Sequence, residues 1–419
     1  MPSKLKIRLV FLILFGLFVF LSLNRHSHAK PFTYHAELWA DKAGYNVYLP
    51  ATFIYKLDAS RFLAHADSLT GNGFYFDTTR QTIITKYPYG VALLQSPFWF
   101  TAHAFAADKT GYSEPYLRSV DIAGCFYLTL GMYFMFLFFS RRLSLSVSAL
   151  LLAFMICCTG IFYYGIFEGG MSHIYSFCVL AAIIYQADTW LGTRHARHLF
   201  FMLLWAALYV IIRPIDAVFV LVFLPFSIFV LPKETQAAIR QWMKTRWFLM
   251  ALISGVLIVL PQLLYYRYAF GNMFVQPYKN EGFTSFSGQH LLELLFSSNN
   301  GLFIYYPALL FILVLYAGQR HALRVPVFVG ICVYILIYSS WWSTSLGCGF
   351  GHRAINDIVP LLFIPVCWFS RQKLKWSLVI LALFSILNLK FIFSFDGCLY
   401  QNEPWNYSEY IGVLLNEIK

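Results

Sequence analysis

Eleven long apolar stretches divide this chain, and they constrain its fold more than any other feature of the sequence. A helix needs about 20 apolar residues to cross the hydrocarbon core of a bilayer. The stretches lie near residues 9–23, 118–140, 143–161, 172–190, 199–213, 215–231, 247–265, 301–318, 325–342, 355–370 and 376–394. Only 12% of the residues are charged, whereas roughly 25% is typical of a soluble domain. We therefore predict an all-α polytopic membrane protein of about 11 transmembrane helices, forming one domain over residues 1–419.

The positions of the basic residues predict the orientation of this domain. The formal net charge is +12, and lysines and arginines concentrate in the short loops. Cytoplasmic loops of membrane proteins are enriched in these two residues. Because Lys4, Lys6 and Arg8 precede the first stretch, we expect a cytoplasmic N-terminus. The stretch resembles a signal peptide, but residues 24–30 form a poor cleavage region, so we expect the first helix to remain uncleaved. The same rule explains the net charge without nucleic acid, since no basic stripe occurs outside the loops.

Alternation from a cytoplasmic N-terminus leaves four longer polar segments on the opposite, extracytoplasmic face. These segments are 24–116, 266–300, 343–354 and the tail 395–419. Within the first segment, amphipathic pieces near 48–64 and 90–106 predict helices at the membrane surface, the second of them interfacial or re-entrant. Because the inner loops are short turns, binding or chemistry is expected on the outer face.

The cysteines give little indication of a metal. No CxxC motif or cluster of histidines and cysteines in the sequence indicates zinc. Cys348 and Cys398 both fall on the predicted outer face, where an oxidising compartment would allow a disulfide. Two unpaired thiols are an equally acceptable interpretation.

Two carboxylates follow the first apolar stretch. Glu37 and Asp41 are four residues apart, so a helix would place both on one face. Such a pair beside a membrane suits a general base with a helper group, or the binding of a cation. An ordinary solvated loop would carry the same residues, and their spacing alone favours that second interpretation.

Basic residues beside apolar helices are candidate ligands of a lipid phosphate. Lys86, before Pro88 and an apolar run, could bind such a phosphate as a point charge, although a snorkelling lysine has the same pattern. Arg213 and Asp216 interrupt a long apolar run at Pro214. Charges in such a run are functional candidates, but a structural helix break explains them equally well.

A glycine-rich segment, residues 341–357, delivers His352, Arg353 and Asp357 to the start of an apolar stretch. Backbone N–H groups at a helix N-terminus together with an arginine form an anion site. His173 stands at the start of another stretch, where it could bind a substrate. A histidine at such a place is more often a satisfied packing group.

Taken in order, these motifs resemble the GT-C superfamily of polytopic glycosyltransferases, in particular the bacterial branch related to protein O-mannosyltransferases and the aminoarabinose transferase of lipid A. The resemblance covers most of the chain. Its elements are Asp41 with Tyr45, the segment 86–90, the break at 213–216, the pair 270–271 and 301–307, and the loop 349–353. The chain departs from many relatives in having Lys42 after Asp41, where they have a second acid, and Tyr87 directly after Lys86, where they have a proline.

The resemblance implies a GT-C-like fold and the inverting transfer of a sugar from a polyprenyl-phosphate carrier. The acceptor would be a hydroxyl of a glycan, lipid or protein. Asp41 would be the general base, with Glu37 in reserve. The donor phosphate would be bound by Lys86, Arg353 and Arg213. The further substrate-binding candidates are Tyr45, Tyr89, His173, His352 and Asp357.

The resemblance also bears on cofactors and location. It implies no cofactor, although Glu37 and Asp41 leave a divalent metal open. The expected location is a bacterial inner membrane, crossed several times, with the active site on the periplasmic face. There the enzyme would meet membrane lipid and its lipid-linked donor.

Two other functions remain open from the sequence. A transporter or flippase of a lipid-linked saccharide would use the same cations, and it would need polar residues along a path through the membrane. A polymerase or ligase acting on a lipid-diphosphate donor would use arginines of the late outer loops, among which Arg353 lies. A change of Asp41 to Asn separates these functions, because only a base-dependent transferase should lose most of its rate.

Overall fold

A computed structural model describes residues 4–278, 281–283, 288–395 and 404–415, and most of these residues are helical. The candidate disulfide between Cys348 and Cys398 involves a cysteine outside the described residues. Residues 396–403 and 416–419 of the predicted tail 395–419 also lie outside the described residues.

The N-terminal third contains one long helix, several short ones in the predicted first loop, and two further long helices. They are α1 (Lys4–Ser27), α2 (Asp41–Asn46), α3 (Tyr48–Phe53), α4 (Ala66–Leu69), α5 (Gly90–Phe105) and α6 (Glu114–Phe139). A helix is present near 90–106 as α5, and its expected interfacial or re-entrant position stays a prediction. The piece 48–64 divides into α3 and a 3-10 turn at Ala59–Arg61. Pro115 opens α6 at a position where a missing N–H costs nothing.

The middle and end of the chain form the remaining helices. They are α7 (Leu145–Cys157), α8 (Ile161–Ile166), α9 (Ser172–Thr193), α10 (Ala196–Ile212), α11 (Leu224–Phe229), α12 (Lys233–Trp242), α13 (Arg246–Phe270), α14 (Gly288–Phe296), α15 (Leu302–Tyr305), α16 (Pro307–Ala317), α17 (Arg324–Ser339), α18 (Val359–Phe363), α19 (Arg371–Ser394) and α20 (Tyr407–Leu415). A 3-10 turn at Pro214–Asp216 and a π-helical stretch at Phe219–Phe223 lead into α11. Ser144 and Ser370 cap α7 and α19, each accepting a backbone N–H in the first turn.

The described chain is mostly helical, as expected for an all-α membrane protein, and the first loop also contains a small hairpin. Strands β1 (Tyr75–Asp77) and β2 (Thr82–Ile84) pair antiparallel, with Tyr75 opposite Ile84. Between them the Asp77 carboxylate accepts the backbone N–H groups of Thr79 and Arg80. This Asx-type turn closes the hairpin locally, which the search for membrane-length helices could not detect.

Five helices of the described chain are long and apolar enough to cross a membrane, namely α1, α6, α9, α13 and α19. Helix α9 is buried along most of its length and packs on α6 and α10, so it forms the centre of the bundle. Helices α1 and α13 instead expose apolar side chains such as Leu12 and Val256. A surface of this kind belongs in lipid, and the chain is a membrane-embedded protein.

The stretch 355–370, which we expected to be a transmembrane helix, is broken. Residues Arg353–Ile358 and Ile364–Trp368 are 3-10 helices on either side of the single turn α18. Pro360 and Pro365 lack the N–H that a continuous α-helix needs, and each restricts the residue before it. The segment is nevertheless buried, and it packs on α9 and α16.

Candidate active site

Asp41 is the first residue of α2, and it is held from two sides. Its Oδ2 lies 3.0 Å from Nη2 of Arg353, and its Oδ1 accepts a hydrogen bond of 2.5 Å from the hydroxyl of Tyr87. About a quarter of each charged side chain is exposed, 26% for Asp41 and 23% for Arg353. The first loop and the glycine-rich late loop therefore meet at this ion pair.

A cavity of about 260 Å³ opens beside the ion pair. Asp41 and Arg353 line it together with residues of the first loop, the α8–α9 connection and the late loop. The other lining residues are Tyr34, Trp39, Ala40, Lys42, Tyr164, Glu168, Met171, Leu346, Gly347, Cys348 and Gly349. Aromatic walls beside a charged pair can exclude water and bind the apolar face of a sugar.

The protonation of Asp41 is set by opposing influences. Burial would raise its pKa, but the charge of Arg353 and the hydrogen bond from Tyr87 outweigh burial and hold the pKa below its ordinary value. The charge of Lys86 acts in the same direction. Asp41 is therefore a carboxylate at physiological pH, ready to accept a proton but stabilised in its charged form.

Lys86 lies near Asp41 but does not line the cavity with it. Its Nζ is 2.6 Å from Oε1 of Glu281, and both side chains are about one-third exposed, 31% and 32%. The ammonium also lies 5.4 Å from the ring centroid of Tyr87 and 5.5 Å from that of Tyr278. The sequence-based prediction placed Lys86 beside Asp41 and Arg353, and the structure places Tyr87 between them.

Tyr45 connects the Asp41 pair with a second polar group. Its ring packs on that of Tyr87 at a centroid distance of 4.5 Å, and its hydroxyl donates to Ser172 over 3.1 Å. Burial raises the pKa of Tyr45, and the charges of Arg213 and Asp41 both reach its hydroxyl. The phenol is therefore neutral, and it can donate one hydrogen bond and accept another.

The second polar group joins three of the predicted residues. His173 Nδ1 lies 2.9 Å from Oδ1 of Asp357, and Arg213 Nη1 lies 3.0 Å from Oδ2 of the same carboxylate. The Arg213 guanidinium also donates to the hydroxyl of Tyr338 over 2.9 Å. Helix α10 ends at Ile212, and this break turns the Arg213 side chain toward the buried Asp357.

His352 completes this group from the late loop. It is 2% exposed, and its ring meets that of Tyr338 edge-on at 5.5 Å. Burial, with the charge of Arg213 nearby, lowers the pKa of His352 to about 3, so the ring is neutral. Within the described chain neither ring nitrogen has a hydrogen-bond partner, so one donor and one acceptor of this buried ring are unsatisfied.

Two predicted site residues lie elsewhere. Glu37 does not join Asp41, because its Oε1 is 2.8 Å from Nη1 of Arg118 on α6. Burial and the charge of Asp121 raise the pKa of Glu37. Tyr89 packs the start of α5 on α13, and its hydroxyl donates to the carbonyl of Ile258. Neither side chain lines the cavity, and of the ten predicted site residues only Asp41 and Arg353 do.

Several residues of the site were not selected from the sequence. Tyr87 was part of a motif, but its hydroxyl was given no role. Nothing in the sequence indicated a role for Glu281, because a single acid in a long loop is ordinary until its ion-pair partner is known. Asp121 could have been found from the sequence, since it is the only acid in the apolar stretch 118–140. Charges in such stretches mark functional or paired positions.

No family model matches the chain, and no curated protein is significantly similar to it.

Proposed function

We propose that this protein is an integral-membrane glycosyltransferase of the GT-C type. It moves a sugar from a polyprenyl-phosphate carrier to an acceptor hydroxyl, with inversion at the anomeric carbon. The observation that carries the proposal is the Asp41–Arg353 ion pair of 3.0 Å at the wall of the cavity. A base and an anion-binding group in contact are what a single displacement on a phosphate-linked sugar needs.

The proposed reaction is one displacement. The acceptor oxygen attacks the anomeric carbon while the bond from that carbon to the phosphate oxygen breaks, and the phosphate leaves with the electron pair. The hydroxyl proton passes to the Asp41 carboxylate. Arg353 offsets the charge that develops on the leaving phosphate, and Lys86 acts at longer range.

The ion pairs suggest how binding and catalysis are linked. Arg353 is paired with Asp41, and Lys86 is paired with Glu281. A donor phosphate that takes over Arg353 releases Asp41 from its strongest stabilising charge. The pKa of Asp41 then rises, and the carboxylate becomes a stronger base when the substrate is in place.

The second polar group is assigned to substrate recognition. Arg213, His173 and Asp357 form a largely buried network, and the ring nitrogens of His352 are buried without a hydrogen-bond partner among the described residues. Neutral donors and acceptors of this kind recognise sugar hydroxyls without competing for the phosphate. We assign Arg213 to the electrostatic field of the site rather than to direct phosphate contact.

The proposal includes a topology. We propose about eleven spans, a cytoplasmic N-terminus, and a cavity on the periplasmic face of a bacterial inner membrane. The polyprenyl tail then stays in lipid, while the acceptor, whether glycan, lipid or protein, arrives from the aqueous side or from the same leaflet.

The test uses the purified full chain in vesicles with a panel of polyprenyl-phosphate-linked hexoses and pentoses, and it follows release of the carrier. We expect consumption of at least one donor and a loss of about 10²–10⁴-fold in Asp41→Asn, as for removal of a general base. Asp108→Asn is the matched control, because Asp108 is an exposed acid of the same loop.

The other two functions give different results in this assay. A transporter or flippase would move the lipid-linked sugar without releasing the carrier, and Asp41→Asn would remain competent. A polymerase or ligase would leave all monophosphate donors intact and consume a diphosphate-linked saccharide. Either result overturns the proposal.

A further inference from the structure

A buried cluster of three side chains lies behind the candidate site, where α1, the first loop and α6 meet. His26 is at the end of α1, Glu37 is in the loop, and Asp121 is in the second turn of α6. Their exposed fractions are 3%, 5% and 1%. One nitrogen or oxygen atom from each of the three lies within 4.8 Å of the other two. The reaction described above uses none of them.

The hydrogen bonds of His26 fix its tautomer. Its Nε2 lies 3.1 Å from the carbonyl oxygen of Phe167, and a carbonyl can only accept, so Nε2 carries a hydrogen. In the neutral ring, Nδ1 then presents a lone pair. That atom is 2.8 Å from Oδ1 of Asp121, which presents lone pairs as well. Two acceptors face one another, and a positive centre is required between them.

A proton on His26 would satisfy only part of this arrangement. It would pair Nδ1 with Oδ1, but Oδ2 of Asp121 is also buried and has no hydrogen-bond partner among the described residues. Glu37 contributes a second carboxylate to the same small volume, and Arg118 reaches it from the outer side. A doubly charged cation would satisfy the imidazole and both carboxylates at once.

We propose that His26 Nδ1, Glu37 and Asp121 bind a divalent transition-metal ion, Zn²⁺ or Mn²⁺. Ligand atoms of a tetrahedral site lie roughly 3.4 Å apart when the bonds are about 2.1 Å long. The observed separations, from 2.8 Å to within 4.8 Å, reach that value with small side-chain rotations. The Phe167 carbonyl orients the imidazole, as outer hydrogen bonds commonly do for metal-bound histidines.

The imidazole among the three ligands favours a transition metal over Mg²⁺ or Ca²⁺. Mg²⁺ and Ca²⁺ prefer oxygen ligands throughout, whereas imidazole nitrogen suits transition metals. The ion connects α1 and α6 to Glu37, four residues before Asp41. Its role is therefore to position the loop that carries the candidate base. The site does not depend on the proposed reaction, because it is defined by binding.

The experiment measures metal content and not activity. The full chain is purified in detergent without chelators, treated with EDTA, desalted, and titrated with Zn²⁺ or Mn²⁺, with Mg²⁺ for comparison. We expect one tightly bound Zn²⁺ or Mn²⁺ per chain by elemental analysis, a higher melting temperature with the ion, and no such effect of Mg²⁺. His26→Gln and Asp121→Asn should each weaken binding by at least about tenfold.

The matched control is Asp188→Asn, a change at another largely buried acid that pairs with Arg141 and Arg142. It should bind metal as the wild type does. In the wild type, pulsed electron paramagnetic resonance of bound Mn²⁺ should show coupling to an imidazole ¹⁴N, and His26→Gln should abolish it. This measurement still decides the matter if Asp121→Asn fails to fold. A wild type that binds neither metal, or whose bound Mn²⁺ lacks the ¹⁴N coupling, overturns the proposal.

Discussion

At the scale of single residues, three cations of the site share one feature. Each contacts a carboxylate that belongs to a distant segment of the chain. Arg353 contacts Asp41, Lys86 contacts Glu281, and Arg213 contacts Asp357. An unpaired charge at a membrane boundary would be costly, so these carboxylates serve as internal counterions. Under the proposed function, the donor phosphate would displace one of these carboxylates from its cation, so donor binding would respond to a change of each acid.

The pH dependence of transfer follows from the Asp41–Arg353 contact. A carboxylate with a lowered pKa stays ionised, and able to accept a proton, until the pH falls below that pKa. In Arg353→Gln the largest lowering influence is gone while burial remains, so the pKa of Asp41 rises. We expect the acid limb of the pH–rate profile to move to higher pH, together with a lower maximal rate.

The control for this prediction is Arg61→Gln, which removes an exposed arginine that pairs with Asp58. Its pH–rate profile should match that of the wild type. An unchanged acid limb in Arg353→Gln would mean that Asp41 is not the group whose ionisation limits the rate.

At the scale of secondary-structure elements, the site depends on how closely α2 approaches the segment before α5. A Cβ atom on Gly44 would lie 2.3 Å from the carbonyl oxygen of Gly73 and 2.3 Å from the ring of Tyr87. Only glycine permits this approach, and the approach brings the Tyr87 hydroxyl to Asp41. A backbone position thus decides the geometry of a charged group three residues away.

Gly44→Ala should therefore damage both stability and activity. Overpacking of this kind costs about 1–3 kcal/mol, so we expect the melting temperature in detergent to fall by several degrees. Carrier release should fall as well, because Tyr87 moves away from Asp41. Melting followed by intrinsic fluorescence and the carrier assay measure the two effects.

Gly16→Ala provides the comparison, since a Cβ there would meet nothing within 4 Å and the position lies inside α1. That change should leave the melting temperature unchanged or raise it slightly. Equal behaviour of the two variants would show that the close approach at Gly44 is unimportant.

At the scale of the whole molecule, the ion pairs join segments that the sequence assigns to the same face of the membrane, and the orientation of those faces stays a prediction. Lys86 with Glu281, and Arg353 with Asp41, join segments that the sequence assigns to the outer face. Arg141, in a predicted inner turn, pairs with Asp188, which lies near the predicted inner end of the stretch 172–190. The described ion pairs do not join segments that were assigned to opposite faces.

Reporter fusions test this orientation. Alkaline phosphatase, which is active only outside the cytoplasm, should be active when fused after residue 110 or 271 in a bacterial host. Green fluorescent protein, which fluoresces when it folds in the cytoplasm, should be bright after residue 142 or 320. Phosphatase activity at residue 142 would contradict the topology. As the control, each reporter is fused separately at every one of the four positions.

The sequence determined the class of the molecule and the approximate position of most helices. Hydropathy is a local property, so α1, α6, α9, α13 and α19 could be located from their apolar length. The break after Ile212 followed from Pro214. The broken segment 355–370 could not be predicted from hydropathy, because burial in the bundle makes a series of 3-10 turns as apolar as a helix.

The tertiary structure decided which charges meet. The sequence indicated Asp41, Arg353, Arg213, His173 and Asp357 as separate candidates, and it gave Glu37 as a reserve for Asp41. Burial of Glu37 beside Asp121 and of Asp41 beside Arg353 separates the two acids. Pairing between residues more than a hundred positions apart depends on helix packing, because electrostatic partners are set by distance in space and not by spacing along the chain.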